Sequence, residues 1–339
     1  MAAYTTLRLG GPAARLVEIV DHREIPRIVR DSAGPIWLIA GGSNVVVDDA
    51  GLPGTVLLLR TRGSRSVTVD ADEVALTVAA GEPWDDVVLR AVEENLSGIE
   101  CLSGIPGSAG ATPIQNVGAY GQEVAETITA VTVYDRERDE TVTMTAAHCG
   151  FGYRSSVFKH RDRWIVLDVT FRLRRSPLSA PVRYAELART LGVPVGQRVP
   201  LAEARAAVLG LRAGKGMVLD ADDHDTWSAG SFFTNPVLDA TAFAALRERA
   251  ADLGEPPAWA GADGSVKTSA AWLIERAGFT KGYGRDGVAI STRHTLALTN
   301  RGTGTTAALL DLAREIRDGV RKRFDVDLRP EPVLLGCEL

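Results

Sequence analysis

Three polar side chains lie in local sequences that could aim them at a ligand. Arg154 stands between aromatic residues, and an arginine held by packing is a rigid bidentate donor for a carboxylate or enolate oxygen. Ser231 follows a glycine and precedes two phenylalanines, and a hydroxyl in a dry, oriented position can deliver a proton. Glu331 stands between Pro330 and Pro332, and the two rings restrict its backbone to extended geometry and so aim its carboxylate.

Each of the three also has a structural alternative when its local sequence is taken alone. Arg154 could be a surface side chain packed along aromatic rings, Ser231 a capping residue, and Glu331 one half of a salt bridge. No Ser/His/Asp order, HExxH motif or paired-carboxylate motif stands out. His148 beside Cys149 is more naturally an incidental pair than a metal site. We therefore predict no metal site.

Two uncharged segments rich in small residues could bind phosphate through backbone amides. Residues 101–121 hold five glycines, two prolines and no charged residue, which excludes a regular helix or a central strand. A Gly/Ser/Thr loop that offers consecutive N–H groups forms a nest that binds phosphate without lysine or arginine. Residues 41–44, Gly-Gly-Ser-Asn between two apolar runs, form a second such turn. A tight structural loop and a plain turn are the alternatives.

Residues 296–325 imitate a dinucleotide-binding motif. A predicted strand is followed by Gly302, Gly304 and Ala307 in G-x-G-x-x-A spacing and by a predicted helix, with Asp325 about twenty residues on. Too few residues follow this motif in the sequence to form the remaining strands that a doubly wound sheet requires. Capping of the helix by Thr303 or Thr305 explains the same residues, so we expect a structural role here.

Length, charge and cysteine usage limit the class of protein. A chain of 339 residues favours two or three domains. The net charge of -5 and the isoelectric point near 5.7 argue against a nucleic-acid or anionic-membrane partner. Three cysteines without CxxC spacing indicate neither a disulfide framework nor a zinc site, and favour a reducing cytoplasm. Without an apolar leader or an apolar run of membrane-spanning length, we expect a soluble, unprocessed protein.

Hydrophobic periodicity places these residues on alternating strands and helices, which is typical of an α/β or α+β protein. A change of composition at 174–177 is a predicted domain boundary. The predicted strands are 16–20, 36–40, 45–47, a hairpin over 66–79, 128–134, 140–144, 164–173, 287–299 and 326–335. The predicted helices are a short one entered near 23–26, then 84–96, 200–210, 240–252, 268–277 and 305–323.

Taken in order, the motifs of this chain resemble those of the UDP-N-acetylenolpyruvoylglucosamine reductase family over essentially its full length. The Pro-Ile-Gln-Asn-x-Gly-Ala-Tyr-Gly block at 113–121 is highly specific. The matching motifs are Gly42-Ser43-Asn44-Val45, Ile105-Pro106-Gly107 continuing to Gly121, Phe151-Gly152-Tyr153-Arg154, Ala229-Gly230-Ser231-Phe232-Phe233-Thr234-Asn235-Pro236, and Pro330-Glu331. The chain looks like the family type in which a tyrosine on a mobile loop closes over the nucleotide.

This resemblance implies an α+β fold, the FAD-binding fold of the vanillyl-alcohol-oxidase (PCMH) type. Two α+β subdomains, 1–62 plus 328–339 and 63–176, would surround FAD, and a third α+β domain, 177–327, would bind substrate. The implied activity is reduction of UDP-N-acetylglucosamine enolpyruvate to UDP-N-acetylmuramate with NADPH, in cytoplasmic peptidoglycan precursor synthesis. The implied partner is this small molecule, with no nucleic acid and no membrane, and a monomer is expected.

The resemblance also implies roles for individual residues. Arg154 matches the catalytic arginine, Ser231 the proton donor and Glu331 the catalytic carboxylate. The implied substrate contacts are these three with Tyr153, Tyr184, Lys215 and Asn235, where Tyr184 is the tyrosine of the closing loop. The implied cofactor-binding residues are Gly41, Gly42, Ser43, Asn44, Val45, Pro106, Gly107, Ser108, Gly110, Ala111, Thr112, Ile114, Asn116, Gly118, Ala119, Tyr120 and Gly121.

Two other functions remain as alternatives at this point. One is an FAD-dependent oxidase of the same fold that acts on an alcohol or an aldonolactone and needs no NADPH. The other is a non-catalytic sensor of a nucleotide sugar, in which Arg154, Ser231 and Glu331 could be changed without loss of turnover.

Overall fold

The computed structural model of the chain describes residues 1–261 and 263–339. Its backbone contacts divide the chain into two compact units. The first unit consists of Met1–Pro12, Gly42–Leu52 and Leu219–Leu339, and the second of Ala13–Gly41 and Pro53–Val218. Among the described residues, no helix is both long enough and apolar enough to cross a lipid bilayer.

The chain alternates short strands with helices along its whole length. The helices are α1 (Ile25–Asp31), α2 (Trp84–Glu93), α3 (Ala185–Leu191), α4 (Leu201–Gly214), α5 (Ala240–Arg249), α6 (Ala270–Arg276) and α7 (Thr306–Phe324). The strands are β1 (Ala13–Ile19), β2 (Ile36–Ile39), β3 (Val45–Val47), β4 (Leu52–Leu59), β5 (Ser64–Thr68), β6 (Glu73–Ala79), β7 (Leu96–Ser97), β8 (Gly118–Ala119), β9 (Gln122–Glu123), β10 (Ile128–Asp135), β11 (Glu140–Thr145), β12 (Trp164–Arg175), β13 (Val237–Leu238), β14 (Ala258–Ala260), β15 (Val266–Thr268), β16 (Gly284–Arg285), β17 (Val288–Ile290), β18 (Leu298–Asn300) and β19 (Val333–Leu335).

A six-stranded sheet forms the centre of the second unit. Its order is β11-β10-β12-β6-β5, with β7 paired to β12, and its pairs are antiparallel. Helix α2 buries Trp84, Val87, Val88 and Ala91, which recur at the spacing of one helical face. The indole of Trp84 lies 5.5 Å from the ring of Phe171 in β12. This packing fixes the position of the 101–121 segment, which follows α2.

A smaller sheet and a helical pair complete the second unit. The sheet order is β1-β4-β2, and β2 runs parallel to β4 with Ile39 opposite Leu58. Because parallel strands end at the same edge, Gly41 emerges beside the end of β4. Helices α3 and α4 share an apolar cluster that also contains Cys101 and Tyr120. The glycine segment is therefore flanked by α3 and α4.

The first unit is built on helix α7 and a parallel strand pair. Strand β3 pairs with β19, with Val45 opposite Val333. Helix α7 has a buried face of apolar residues spaced three and four apart, and it ends where Asp325 adopts a left-handed conformation with φ 59°. Two further sheets, of order β13-β15-β14 and β16-β17-β18, belong to the same unit.

The α+β class is confirmed, and some predicted elements need correction. The predicted strand at 326–335 is confined to β19, because Pro330 and Pro332 have no N–H to donate. The predicted strand at 287–299 is two strands, β17 and β18, joined by a turn. Helix α3 and the strands β13 to β15 were not predicted, since elements of two to seven residues carry too little periodicity. The division into three domains stays a prediction.

Candidate functional site

The glycine segment of the second unit is folded by direct backbone contacts. A Cβ atom on Gly41 would lie 2.4 Å from the Cα atom of Gly107, and one on Gly110 would lie 2.4 Å from the Cβ atom of Ala80. The N–H of Trp84 donates to the Gly107 carbonyl at 3.1 Å, and the N–H of Gly110 donates to the Ala80 carbonyl at 2.9 Å. Side chains at these glycines would force the segments apart, so their spacing has a steric cause.

The hydroxyl group of Ser108 is buried and has no hydrogen-bond partner in the described part of the chain. Ser108 is 4% exposed, and it lies between Gly107 and Ala109 in the predicted cofactor segment. An unsatisfied buried polar group costs about 1–3 kcal/mol, and native structures rarely keep one without a reason. The Ser108 Oγ atom is therefore a candidate contact for a polar group of a bound ligand.

Asn116 joins three parts of the second unit through its carboxamide. Its Nδ2 donates to Glu123 Oε2 at 2.8 Å and to the Gly152 carbonyl at 3.1 Å, and its Oδ1 accepts from the Ala125 N–H at 3.1 Å. Asn116 is 2% exposed and has φ 46°, a left-handed conformation that asparagine tolerates better than most residues. This residue thus fixes the middle of the glycine segment.

Arg154 is anchored on the same segment. Its Nη1 donates to the Asn116 carbonyl at 3.3 Å, and its Nη2 donates to the Gly118 carbonyl at 2.8 Å. The backbone of Arg154 is left-handed with φ 50°, and non-glycine residues held there are concentrated at functional sites. The neighbouring ring of Tyr153 lies 5.6 Å from the guanidinium carbon. The structure therefore brings the predicted catalytic arginine to predicted cofactor residues.

Three predicted ligand contacts and one acidic residue form a cluster beside α3 and α4. The rings of Tyr120 and Tyr184 meet edge to face, with centroids 5.5 Å apart and an interplanar angle of 88°. Lys215 Nζ lies 5.7 Å from the centroid of Tyr120 and donates to Glu186 Oε2 at 2.6 Å. Burial lowers the pKa of Lys215, but the bond to Glu186 and nearby groups outweigh it, so that the pKa is raised. Lys215 is therefore a firmly protonated cation.

The glycine turn of the first unit leads into β3. Gly42 has φ 61°, and a Cβ atom there would lie 1.9 Å from the Tyr4 carbonyl oxygen, so only glycine fits. The N–H of Thr6 donates to the Gly42 carbonyl at 3.1 Å. The N–H of Val333 donates to the Asn44 carbonyl at 2.9 Å. The turn with Ser43, Asn44 and Val45 is thus held two residues from Glu331.

Ser231 and Glu331 stand on adjacent extended segments, although they are far apart in the sequence. The N–H of Glu331 donates to the Phe232 carbonyl at 2.8 Å, and the N–H of Thr234 donates to the Arg329 carbonyl at 3.0 Å. Phe232 is 1% exposed and lies in the core of the first unit. Burial of the aromatic side chain and the backbone pairing bring two of the three predicted catalytic residues side by side. Their catalytic roles stay predictions, as does their meeting with Arg154.

Sequence reasoning missed His294, which lies beside Ser231. Its Nε2 is 3.4 Å from Ser231 Oγ, and its backbone N–H donates to Ser291 Oγ at 3.3 Å. A lone histidine in a turn between two short strands carries no local signal that could have identified it. The predicted substrate contact Asn235 also caps a helix. Its Oδ1 accepts a hydrogen bond of 3.0 Å from the N–H of Ala270 at the start of α6.

The backbone N–H groups at the start of α7 are hydrogen-bonded to side chains of the protein, as the capping explanation predicted. Thr305 Oγ1 accepts from the Ala308 N–H at 3.1 Å. The carboxylate of Asp49 accepts from the N–H groups of Thr306 and Ala307, both at 2.9 Å. An acidic side chain that holds these amides satisfies the helix terminus and repels a phosphate. The described residues hold no group of His, Cys, Asp and Glu arranged to bind a metal ion.

Two protein-family models match this chain. Residues 13–145 match the model described as FAD binding domain. Residues 222–335 match the model described as UDP-N-acetylenolpyruvoylglucosamine reductase, C-terminal domain. The first match includes the 101–121 segment, and the second includes Ser231 and Glu331.

Whole-chain comparisons agree with these matches. The UDP-N-acetylenolpyruvoylglucosamine reductase of Salinispora arenicola is 64% identical, over 100% of this chain and 95% of that protein. The enzyme of the same name from Thermobifida fusca is 57% identical, over 100% of this chain and 97% of that protein. The crystal structure of UDP-N-acetylenolpyruvylglucosamine reductase from Thermus caldophilus has a TM-score of 0.68 at 24% identity and covers 98% of this chain and 96% of its own. That structure shows a shared fold.

The glycine segments fit an FAD group. The close approach of Gly41 to Gly107 leaves no room for a side chain at Gly41, and the buried Ser108 hydroxyl of the 101–121 segment has no hydrogen-bond partner in the described residues. The segment carries no charge that would repel a pyrophosphate. The contact of each predicted residue with the cofactor stays a prediction.

Proposed function

The chain belongs to the UDP-N-acetylenolpyruvoylglucosamine reductase family, and from this premise we propose how its residues perform that reduction. It is an FAD- and NADPH-dependent oxidoreductase that converts UDP-N-acetylglucosamine enolpyruvate to UDP-N-acetylmuramate. Besides the family relationship, the backbone hydrogen bond from Glu331 to Phe232 supports the proposed catalytic pair, because it brings Glu331 close to Ser231.

Arg154 stabilises the negative charge that develops on the substrate. The double bond of the enolpyruvyl group accepts a hydride at its terminal carbon only when charge moving onto the carboxylate is stabilised, which is electrostatic work for a held guanidinium. The two carbonyls of Asn116 and Gly118 fix Arg154 before substrate arrives, so that little reorganisation is needed. Glu331, protonated or sharing a proton, assists at the same carboxylate, since an ionised carboxylate would repel the developing charge.

Ser231 delivers the proton that completes the reduction. Once the terminal carbon has accepted a hydride, the adjacent carbon needs a proton. A serine hydroxyl that is held in position can donate it, and we assign this role to Ser231. The buried Phe232 fixes the backbone from which this hydroxyl extends. One hydride and one proton are added across one double bond, so NADPH and a proton are consumed for each product formed.

FAD supplies hydride transfer between NADPH and the substrate. The residues that would hold it are the glycine turn at 41–45 and the segment 106–121, through backbone amides and the Ser108 hydroxyl. Tyr153, Tyr184, Lys215 and Asn235 would hold the nucleotide substrate. Because both hydride partners must reach the same face of the cofactor, NADPH and substrate bind in turn.

The protein acts as a monomer in the cytoplasm, without a nucleic-acid partner. Its net charge of -5 disfavours polyanion binding. Light scattering on a sizing column is expected to give a mass near 36.1 kDa.

The decisive experiment separates the two halves of the reaction. Replacement of Ser231→Ala should leave the bleaching of the flavin absorbance by anaerobic NADPH intact, because no proton donor to substrate is needed there. Return of the yellow colour on addition of the enolpyruvyl nucleotide should slow by about 10²- to 10⁴-fold, the usual contribution of a general acid. Both steps are followed in a stopped-flow spectrophotometer.

Thr241→Ala, which removes an exposed hydroxyl of α5 in the same unit, is the matched control and should leave both steps unchanged. Equal loss of both steps in Ser231→Ala would refute the proton-donor role. A protein that NADPH does not bleach, but that an alcohol reduces and oxygen reoxidises rapidly, would be the oxidase of the same fold instead.

A further inference from the structure

Glu186 is an acidic residue in a cluster that is proposed to bind an anion. Lys215 Nζ donates to its Oε2 at 2.6 Å, yet Lys215 is a proposed contact of a substrate that carries a diphosphate. We propose that Glu186 is the internal counter-ion of Lys215, that an anionic group of the nucleotide replaces it on binding, and that Glu186 thereby sets the affinity for substrate. This inference rests on the proposed function and gives a role to a residue that has none in the sequence analysis above.

The geometry couples Glu186 to the proposed nucleotide contacts. Glu186 stands in the first turn of α3, and Tyr184 is the N-cap residue of the same helix. The ring of Tyr184 packs edge to face on Tyr120, and Lys215 Nζ lies 5.7 Å from the centroid of that ring. The ion pair therefore ties the end of α4 to the start of α3 at the two tyrosines. A ligand that binds Lys215 in place of Glu186 therefore also breaks this link between α3 and α4.

The local charge favours exchange of one anion for another. Among the described residues, Glu186 is the one carboxylate bonded to either of the two cations at the end of α4, Arg212 and Lys215. Arg212 Nη2 donates to the Met217 carbonyl at 2.7 Å, and its Nε is buried without a partner in the described part of the chain. Glu186 thus pairs with Lys215 alone among the residues described, and a diphosphate carries more charge than the carboxylate it replaces.

Because the ion pair is partly exposed to solvent, replacing Glu186 by a ligand anion requires little free energy. The side chains of Lys215 and Glu186 are 34% and 32% exposed, so water and ligand reach the pair without opening a core. An ion pair of this exposure changes an equilibrium constant by up to about fivefold. Removal of the Glu186 charge should accordingly tighten substrate binding by about two- to fivefold, because the ligand no longer competes with a carboxylate.

The test compares Glu186→Gln with the wild-type holoenzyme, using UDP-N-acetylmuramate as the probe and the perturbation of the flavin spectrum as the signal. The dissociation constant is expected to fall by about two- to fivefold, and the flavin reduction rate at saturating NADPH to stay unchanged. In the background of Lys215→Met, Glu186→Gln is expected to have no effect, since the cation over which the anions compete is gone.

Glu94→Gln is the matched control. It removes the same charge and a similar pair, Arg90 Nε to Glu94 Oε1 at 2.7 Å, on α2, and should leave the dissociation constant unchanged. If the wild type binds the nucleotide and Glu186→Gln binds it no more tightly, the inference is overturned while the proposed function stands. If Glu186→Gln tightens binding equally in the Lys215→Met background, the counter-ion role is also refuted. If the wild type binds no nucleotide, the proposed function fails and the inference fails with it.

Discussion

At the scale of single residues, the carboxamide of Asn116 holds the backbone whose carbonyl accepts a hydrogen bond from the Arg154 guanidinium. Replacement of Asn116→Ala removes part-buried hydrogen bonds to Glu123, Gly152 and Ala125 and leaves these partners unsatisfied. We expect the free energy of unfolding to fall by about 2–4 kcal/mol and the affinity for FAD to fall with it. Urea denaturation of the apoprotein and FAD titration measure the two effects.

Asn95→Ala separates side-chain bonding from backbone strain. Asn95 is also left-handed, with φ 56°, but it is exposed, so its replacement should cost only the conformational strain of about 1–2 kcal/mol. Equal losses for the two variants would mean that the cost at Asn116 comes from its backbone conformation and not from its carboxamide.

Residues differ in how far the sequence reveals them. Arg154, Ser231 and Glu331 could be picked out because prolines, glycines and aromatics around them restrict their backbones, and the motif order then gave them candidate roles. Glu186 and His294 could not, since their local sequences restrict nothing. Their places beside Lys215 and Ser231 follow from packing between segments that are distant in sequence, which no local pattern encodes.

At the scale of elements, Asp85 joins the start of α2 to the glycine segment and to α4. Its Oδ1 accepts from the Gly104 N–H at 2.6 Å, and Arg205 donates to both carboxylate oxygens at 2.7 Å. Burial raises the pKa of Asp85, but the bonds from Arg205 and Gly104 outweigh it and hold the pKa below its ordinary value of 3.8. The ionised form is therefore the one that ties these elements together.

The pH dependence of stability should report this junction. Because the pKa is lower in the folded state, the stabilisation is present above the unfolded-state pKa and is lost as pH falls through the folded-state value. The unfolding free-energy difference between wild type and Asp85→Asn should be constant from about pH 8 to pH 5 and shrink below about pH 4. Denaturant titrations across pH measure it.

Asp86→Asn, which removes an exposed carboxylate from the same turn, is the matched control for the loss of one negative charge there. A difference between wild type and Asp85→Asn that grew towards acid pH would contradict the assignment of the ionised form as the stabilising one.

Length alone did not decide which elements were predicted, since the eight-residue β4 was missed and the three-residue β3 was predicted. Helices α2 and α7 present whole turns of buried apolar residues, and their predicted positions hold to within a few residues. Strand β19 is shorter than predicted because the two prolines before it cannot pair as a strand does, although the same prolines help to present Glu331. Helix α3, with two buried residues in seven, is defined by its packing against α4 rather than by its own periodicity.

At the scale of the whole molecule, FAD should stabilise the fold through its pyrophosphate as well as its ring. A ligand at about 100 times its dissociation constant adds about 2.7 kcal/mol to the stability of the folded state. We expect FAD to raise the melting temperature of the apoprotein by several degrees. Riboflavin, which lacks the pyrophosphate and should therefore bind more weakly, is expected to raise it distinctly less at the same free concentration. Differential scanning fluorimetry compares the two.

Riboflavin binding as tightly as FAD would contradict the proposed role of the glycine segments, since ring contacts alone would then account for the affinity. Adenosine diphosphate, which carries the pyrophosphate without the flavin ring, tests the complementary half of the recognition.

The order of the two units along the chain could not be read from the sequence. The first unit takes its residues from three separate stretches, 1–12, 42–52 and 219–339. The domain boundary that composition predicts at 174–177 stays a prediction, and residues up to Val218 belong to the second unit. Contact between distant stretches, such as that of β3 with β19, is decided by tertiary register and not by any local change of composition.

The parallel partnership of β3 with β19 also bears on how the protein is made. A ribosome synthesises Val45 long before its partner Val333, so β3 emerges well before β19 exists. The strand after the glycine turn must wait, shielded or transiently exposed, until translation reaches the residues that also carry Glu331. Completion of this strand pair and delivery of the carboxylate thus coincide, and a prematurely terminated polypeptide lacks both at once.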